Sequence, residues 1–202
     1  MPTSLLRLED YLRTGGPVMV PLVVVSVVMW LLIIDRALFF RRLGRRDMPS
    51  RTARECLAEG RPPDPRRQRG ATSVLVAEFL RRRSGRRSLD RFILDETVAR
   101  IQRRLSDHLA AIGVLAAVAP LLGLLGTVTG MITTFDVLAV FGTGNARAMA
   151  GGISEALITT QTGLLVAIPG LYMKGFLDRR ARQMGQRIGA VGFYLRRHLG
   201  ND

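Results

Sequence analysis

Three long stretches of the chain are nearly free of charge, and the segments around them are crowded with arginine. From Val18 to Ile34 the run VMVPLVVVSVVMWLLII holds no charged residue and is apolar on all sides rather than along one stripe. Its length is near the lower limit of the roughly 17–25 residues that cross a bilayer as a helix. From Leu109 to Phe135 the chain is again uncharged, and at about 1.5 Å per residue that helix would be roughly 40 Å long. The third stretch, Ala148 to Met173, carries one charge, Glu155. The pattern predicts an all-α integral membrane protein with three transmembrane helices.

These runs divide the chain into an N-terminal segment 1–16, a first span 17–40, an Arg-rich loop 41–106, a second span 107–141, a turn 142–147, a third span 148–177 and a tail 178–202. The first span has no A-x-A-like cleavage site and ends in Asp35-Arg36 followed by Arg41, Arg42, Arg45 and Arg46, so it reads as a retained anchor. Inside the loop, the stretch Gly60-Arg-Pro-Pro-Asp-Pro65 breaks any helix and links helical pieces flexibly. Val74, Leu75 and Phe79 then suggest a short amphipathic helix. Leu94, Val98, Ile101 and Leu105 recur at spacings of four, three and four, a helical stripe that runs into the second span without Gly or Pro. One long helix is expected from about Leu89 into the membrane. A second long helix is expected to continue from the third span through Phe176, Met184 and Ile188, against the weakening effect of Gly175, Gly185 and Gly189.

The net charge of +14 invites a nucleic-acid reading, but the position of the arginines answers it. They fill the 41–106 loop and the tail after the third span, where the positive-inside bias places cytoplasmic segments. The opposite side holds Arg7, Arg13 and Arg147. The expected orientation therefore has a periplasmic N-terminus and a cytoplasmic C-terminus, consistent with three spans. No aromatic residues are interleaved for base stacking, so anionic lipid headgroups are the expected partners of these charges rather than nucleic acid. Chemistry of the enzymatic kind finds no foothold. Cys56 is the single thiol, and His108 and His198 lie near charged segment ends with no triad order, P-loop or zinc spacing around them. Neither a metal nor a cofactor is expected.

The polar content of the spans carries what function can be read. Pro120, Gly123, Thr127, Gly130 and Thr134 share one face of the second span, and Gly152, Ala156, Thr160, Gly163, Ala167 and Gly170 share one face of the third. Small residues at this spacing let helix backbones approach closely in lipid, within a subunit or between subunits. Hydroxyls on the same faces have two readings. A membrane Thr commonly back-bonds to a carbonyl one turn earlier, the expectation for Thr159 and Thr162, whereas Thr127 and Thr160 are candidates to stabilise a partner's ionisable group or hold water. Glu155 is the one acid within the three apolar runs. An ionisable group there either faces a protein-lined path or reaches outward to headgroups and water. Asp35 and Asp136 lie at span ends and read as interfacial.

The segment Ala119-Pro-Leu-Leu-Gly-Leu-Leu-Gly-Thr-Val-Thr-Gly130 resembles the second-helix signature of the MotA/TolQ/ExbB proton channel family. Gly152-Ile-Ser-Glu-Ala-Leu-Ile-Thr-Thr-Gln-Thr-Gly-Leu164 with Ala167-Ile-Pro169 resembles the third. Gly15-Gly-Pro17 and Met29-Trp30 through Asp35-Arg36 also look like an ExbB first span. Gln161 departs from the pattern and makes the third span more polar. MotA-like proteins usually have a fourth span and a larger cytoplasmic domain, so the short loop here favours ExbB or TolQ. The resemblance implies a homopentamer in the bacterial inner membrane around helices of a short, single-span ExbD-like partner that supplies a membrane Asp, with a TonB-like client. It implies that Thr127 and Thr160 line the lumen and that Glu155 faces the pore. A TolQ-like stator for envelope maintenance and a non-conducting membrane scaffold are the alternatives.

Overall fold

The computed structural model describes residues 14–44, 48–60, 63, 70–142 and 145–198. Arg7 and Arg13, Arg45 and Arg46, and most of the break between Gly60 and Pro65 lie outside the described residues. The elements are α1 (Met19–Leu43), α2 (Ser50–Glu59), α3 (Ala71–Arg82), α4 (Arg87–Ser106), α5 (Leu109–Phe141) and α6 (Ala146–His198). No strand occurs among the described residues. Helix α1, the stretch Arg87–Phe141 and helix α6 are each long and apolar enough to cross a membrane, as the charge-free runs predict.

The chain forms two compact units. One contains Met1–Ile33 and Ala110–Lys174, the other Ile34–Leu109 and Gly175–Asp202. In the first unit, α1 turns Met19, Leu22, Met29 and Ile33 inward on one face, each no more than 2% exposed. Met29 packs on Gly170, where an added Cβ would stand 2.5 Å from the methionine sulfur. The outer surface is apolar: Val20, Leu121, Leu165 and Ile168 are more than 60% exposed. Water would penalise that surface, and hydrocarbon accepts it. Pro120 and Pro169 sit inside α5 and α6 without ending them. Such prolines are tolerated where neighbouring helices help satisfy the freed backbone groups.

The second unit also buries large side chains. Leu75, Val76 and Phe79 of α3, Leu94 and Leu105 of α4, and Leu177, Ile188 and Leu195 of α6 are each at most 2% exposed. Val74, expected on the buried stripe, faces outward instead, and Val76 takes its place. Helix α2 ends at Gly60, whose left-handed φ of 66° lets its N–H donate to the Cys56 carbonyl. Helix α6 runs unbroken through Gly185, Gly189 and Gly192, and the reason lies opposite them. These glycines admit Leu105, Gln102 and Val98 of α4, and Gln102 Nε2 donates to the Gly185 carbonyl at 3.0 Å. Gly189 and Gly192 are therefore packing positions, whereas Gly175 faces open space.

The stretch Arg87–Phe141 differs in one detail from the single helix expected there. It breaks at Asp107–His108, where His108 adopts a φ of 62°, the left-handed region that non-glycine residues seldom occupy. The break frees carbonyls at the end of α4, and Arg36 of α1 meets one of them. Its Nη1 donates to the Arg104 carbonyl at 3.1 Å and its Nη2 donates to His108 Nδ1. Arg36 is 6% exposed; its guanidinium lies over the Phe39 ring and keeps one nitrogen, Nε, without a hydrogen-bond partner. A guanidinium is always a donor, so His108 Nδ1 presents its lone pair and the ring proton sits on Nε2.

Candidate functional site

Gly123, Gly130 and Thr134 of α5 meet Gly152, Ala156, Thr160 and Gly163 of α6 in the first unit. The approach is close enough to exclude side chains. A Cβ on Gly163 would fall 2.7 Å from the Ala119 carbonyl oxygen and one on Gly123 3.0 Å from that of Thr159, so backbone lies almost on backbone. Nearer the α5–α6 turn, a Cβ on Gly130 would fall 2.7 Å from the Gly152 carbonyl oxygen and 2.9 Å from the Ala156 Cβ, while Gly152 packs on Thr134. Ala156 and Ala167 are buried, and Pro120 is partly exposed. These contacts are packing between helices of one subunit.

The hydroxyls divide by where their hydrogens go. Thr159 is fully buried and donates to the Glu155 and Ala156 carbonyls at 3.0 and 2.9 Å, and Thr162 donates to the Ile158 carbonyl at 2.7 Å. Both are back-bonded, as expected of membrane threonines. Thr127 Oγ1 also back-bonds, donating to the Leu124 carbonyl at 2.6 Å, with its side chain partly exposed. Thr160 differs: its Oγ1 crosses to α5 and donates to the Gly123 carbonyl at 3.0 Å. In every one of these bonds the hydroxyl hydrogen is spent on a carbonyl. What remains for a ligand at Thr127 and Thr160 is lone pairs.

Glu155 is not part of the Gly123–Thr160 contact. It lies five residues, about 7.5 Å of helix, before Thr160, and its carboxylate packs against Gly16, just ahead of α1. Gly16 has a φ of 66°, and a Cβ there would overlap the carboxylate, so the glycine serves both the backbone turn and the room for Glu155. Sequence reasoning passed over Gly126, whose missing Cβ makes the space that Thr159 fills. The spacing of threes and fours from Gly123 to Gly126 to Gly130 held that signal.

The arrangement offers close-packed helices, hydroxyl oxygens on α5 and α6 available as acceptors, and one carboxylate at the start of α1. No grouping of His, Cys, Asp and Glu suited to a metal ion occurs among the described residues.

Residues 68–189, which contain α3, α4 and α5 and most of α6, match the sequence profile described as the MotA/TolQ/ExbB proton channel family. The chain is 32% identical over 197 residues to an ExbB-like biopolymer transport protein of Synechocystis sp., covering 94% of this chain and 78% of the relative. It is 30% identical over 198 residues to the biopolymer transport protein ExbB of Salmonella typhimurium, covering 87% and 76%. With the ExbB of Neisseria gonorrhoeae it shares 35% identity over 106 residues, covering 52% of this chain and 48% of the relative.

Proposed function

Because this chain belongs to the MotA/TolQ/ExbB proton channel family, we propose that it is a ring-forming subunit of a proton-driven inner-membrane motor of the ExbB–ExbD kind. On this reading it energises TonB-dependent transport across the outer membrane. The ring is a homopentamer around a single-span partner whose membrane Asp takes and releases the proton, the N-terminus is periplasmic, and the C-terminus is cytoplasmic. Attraction of the Arg-rich cytoplasmic segments to anionic lipids belongs to the same reading.

The observation that carries the proposal is the state of the two hydroxyls. Thr127 and Thr160 have donated their hydrogens to the Leu124 and Gly123 carbonyls, so toward a partner they act as acceptors. An acceptor stabilises a carboxylic acid, which has a hydrogen to give, and repels a carboxylate, which has none. A ring of such oxygens favours the protonated partner Asp within the lumen. Once the proton leaves, the charged form gains by moving to water or to a rotated hydroxyl. The chain itself has no acid deep in α5, and Glu155 lies beside Gly16 at what this orientation makes the periplasmic end. It borders the proton's entry rather than replacing the partner Asp. Moving one charge through 100 mV releases about 2.3 kcal/mol, enough to bias a step of the partner at each proton.

The close-packed glycines would serve a non-conducting scaffold equally well, and the threonines separate the two readings. In Thr127→Val and Thr160→Val the shape is kept and the acceptors are lost. The motor reading expects rings that assemble and capture the single-span partner, seen by native mass spectrometry, with most client-driven uptake gone. Uptake equal to that of the unaltered chain in both variants would falsify it in favour of the scaffold.

A further inference from the structure

The second unit holds a cavity of about 220 Å³ that the motor reading does not use. Its wall draws cations from separate places in the sequence: Arg54 on α2, Arg83 just past α3, and Arg87, the first residue of α4. The imidazole of His198 at the end of α6 also lines the cavity, and the buried Leu57 and Leu195 give the wall an apolar side.

Asp90 is the one carboxylate lining the cavity among the described residues, and it is already engaged. It is 3% exposed; its Oδ1 accepts from the Ser84 N–H at 2.7 Å and from Ser84 Oγ at 2.9 Å, and its Oδ2 faces Arg83 Nε at 3.5 Å. Arg83 in turn donates from Nη1 to the Leu57 carbonyl at 3.1 Å. This pair fixes the turn between α3 and α4 and neutralises itself. Arg54 and Arg87 then line the same small space with no second carboxylate in its wall. Arg87 opens α4, where its cation opposes the helix dipole while Asp90 in the same turn favours it, and the start of α4 has no side-chain cap. Arg54 and Arg87 are both exposed, so an anion can reach them from solvent.

We propose that this cavity binds a small phosphate-bearing anion, a phosphomonoester whose phosphate lies between Arg54 and Arg87 and whose short organic part lies against Leu57 and Leu195. Guanidiniums arriving from different elements suit a tetrahedral dianion, which accepts from several directions at once. The volume is below the roughly 300–1,000 Å³ of sites for drug-sized ligands, which favours a small phosphomonoester over a nucleotide. A soluble source is favoured over a lipid headgroup, since Leu195 stands 19 residues, about 28 Å of helix, beyond the apolar Phe176. His198 donates from Nδ1 to the Tyr194 carbonyl at 2.8 Å, which leaves Nε2 to accept from a ligand hydroxyl.

The test uses the full-length chain in neutral detergent, with glycerol phosphate as probe and sodium chloride at matched ionic strength as reference. Its dissociation constant is measured by calorimetry for the unaltered chain, Arg54→Gln, Arg87→Gln and a control, Arg91→Gln, an exposed arginine outside the cavity. Ala58→Trp, which fills the space and removes no charge, is measured beside them. The expected result is saturable binding, weakened about tenfold in each cavity Arg variant, lost in Ala58→Trp and unchanged in Arg91→Gln. Equal weakening in Arg91→Gln would mean general attraction to a chain of net charge +14 and would overturn the site. Binding that survives Ala58→Trp, or that appears only with phosphatidylglycerol vesicles and never with the soluble probe, overturns it as well.

Discussion

The two units of this chain solve the same packing problem in different solvents. In the first, α5 and α6 meet through glycine and alanine, backbone against backbone, α1 buries Met19, Leu22, Met29 and Ile33, and many other large apolar side chains point outward. In the second, large side chains such as Phe79, Leu94 and Leu195 are buried, and charged groups form pairs around them. Where the surroundings are lipid, burying leucine gains nothing, and close van der Waals contact decides which faces meet. Where they are water, burial of leucine and phenylalanine is itself the driving force. Glycine makes room for different partners along α6. Gly163 admits a neighbouring backbone and Gly192 admits a side chain.

The strongest way to break that comparison is Gly163→Ala. The added Cβ meets the Ala119 carbonyl oxygen at 2.7 Å, and a helix backbone cannot step aside as a rotamer can. A loss of about 3 kcal/mol is expected, read as a lower melting midpoint in detergent. Arg36→Met comes next, in the second unit. It removes a buried charge but leaves the Arg104 carbonyl and His108 Nδ1 without their donor. About 2 kcal/mol should be lost, and amide exchange should rise first around Asp107–His108. Gly192→Ala sharpens the contrast, because the clash is with Val98 Cγ2 at 2.5 Å and the substitution gains helix propensity. Its net effect should stay within about 1 kcal/mol.

The smallest effect is electrostatic. Burial pushes the Glu78 carboxyl up, but the hydrogen bond from Arg81 and the charges of Arg81, Arg82 and Arg104 outweigh it, and the group is held below its ordinary value of 4.5. A carboxylate lowered in the fold stabilises fully above that ordinary value, and the contribution fades as pH falls through the lower folded-state value. Melting midpoints followed from neutral pH to well below 4.5 should therefore fall slightly more steeply for the unaltered chain than for Glu78→Gln.

The spans were legible because a run of twenty or so uncharged residues, in a chain this rich in arginine, is the pattern that a hydrocarbon layer demands. The stripe through Leu94, Ile101 and Leu105 was legible for the same kind of reason, since those positions repeat with the helical period and are buried. The break before α5 was not. No Gly or Pro marks it; His108 takes a left-handed φ, and the residue that meets it, Arg36, is 72 positions away and reads in the sequence as an ordinary flanking charge. Spacing put Thr127 and Thr160 on small-residue faces and named both as candidates, yet nothing in it says that Thr160 bonds to the next helix while Thr127 bonds to its own. Glu155 had two environments open to it. Its place against Gly16 depends on a turn at the far end of the chain.

The α5–α6 contact also bears on how this protein can change over time. Every single-nucleotide missense change of a glycine codon yields a residue with a Cβ, so at Gly130 and Gly163 there is no small step available. Each first step places an atom within 2.7 Å of a carbonyl oxygen. Drift at this contact is therefore blocked one residue at a time and proceeds by paired changes, whereas the lipid-facing leucines and valines can exchange freely. Deep mutational scanning of α5 and α6 should show that difference as two sharply separated classes of position.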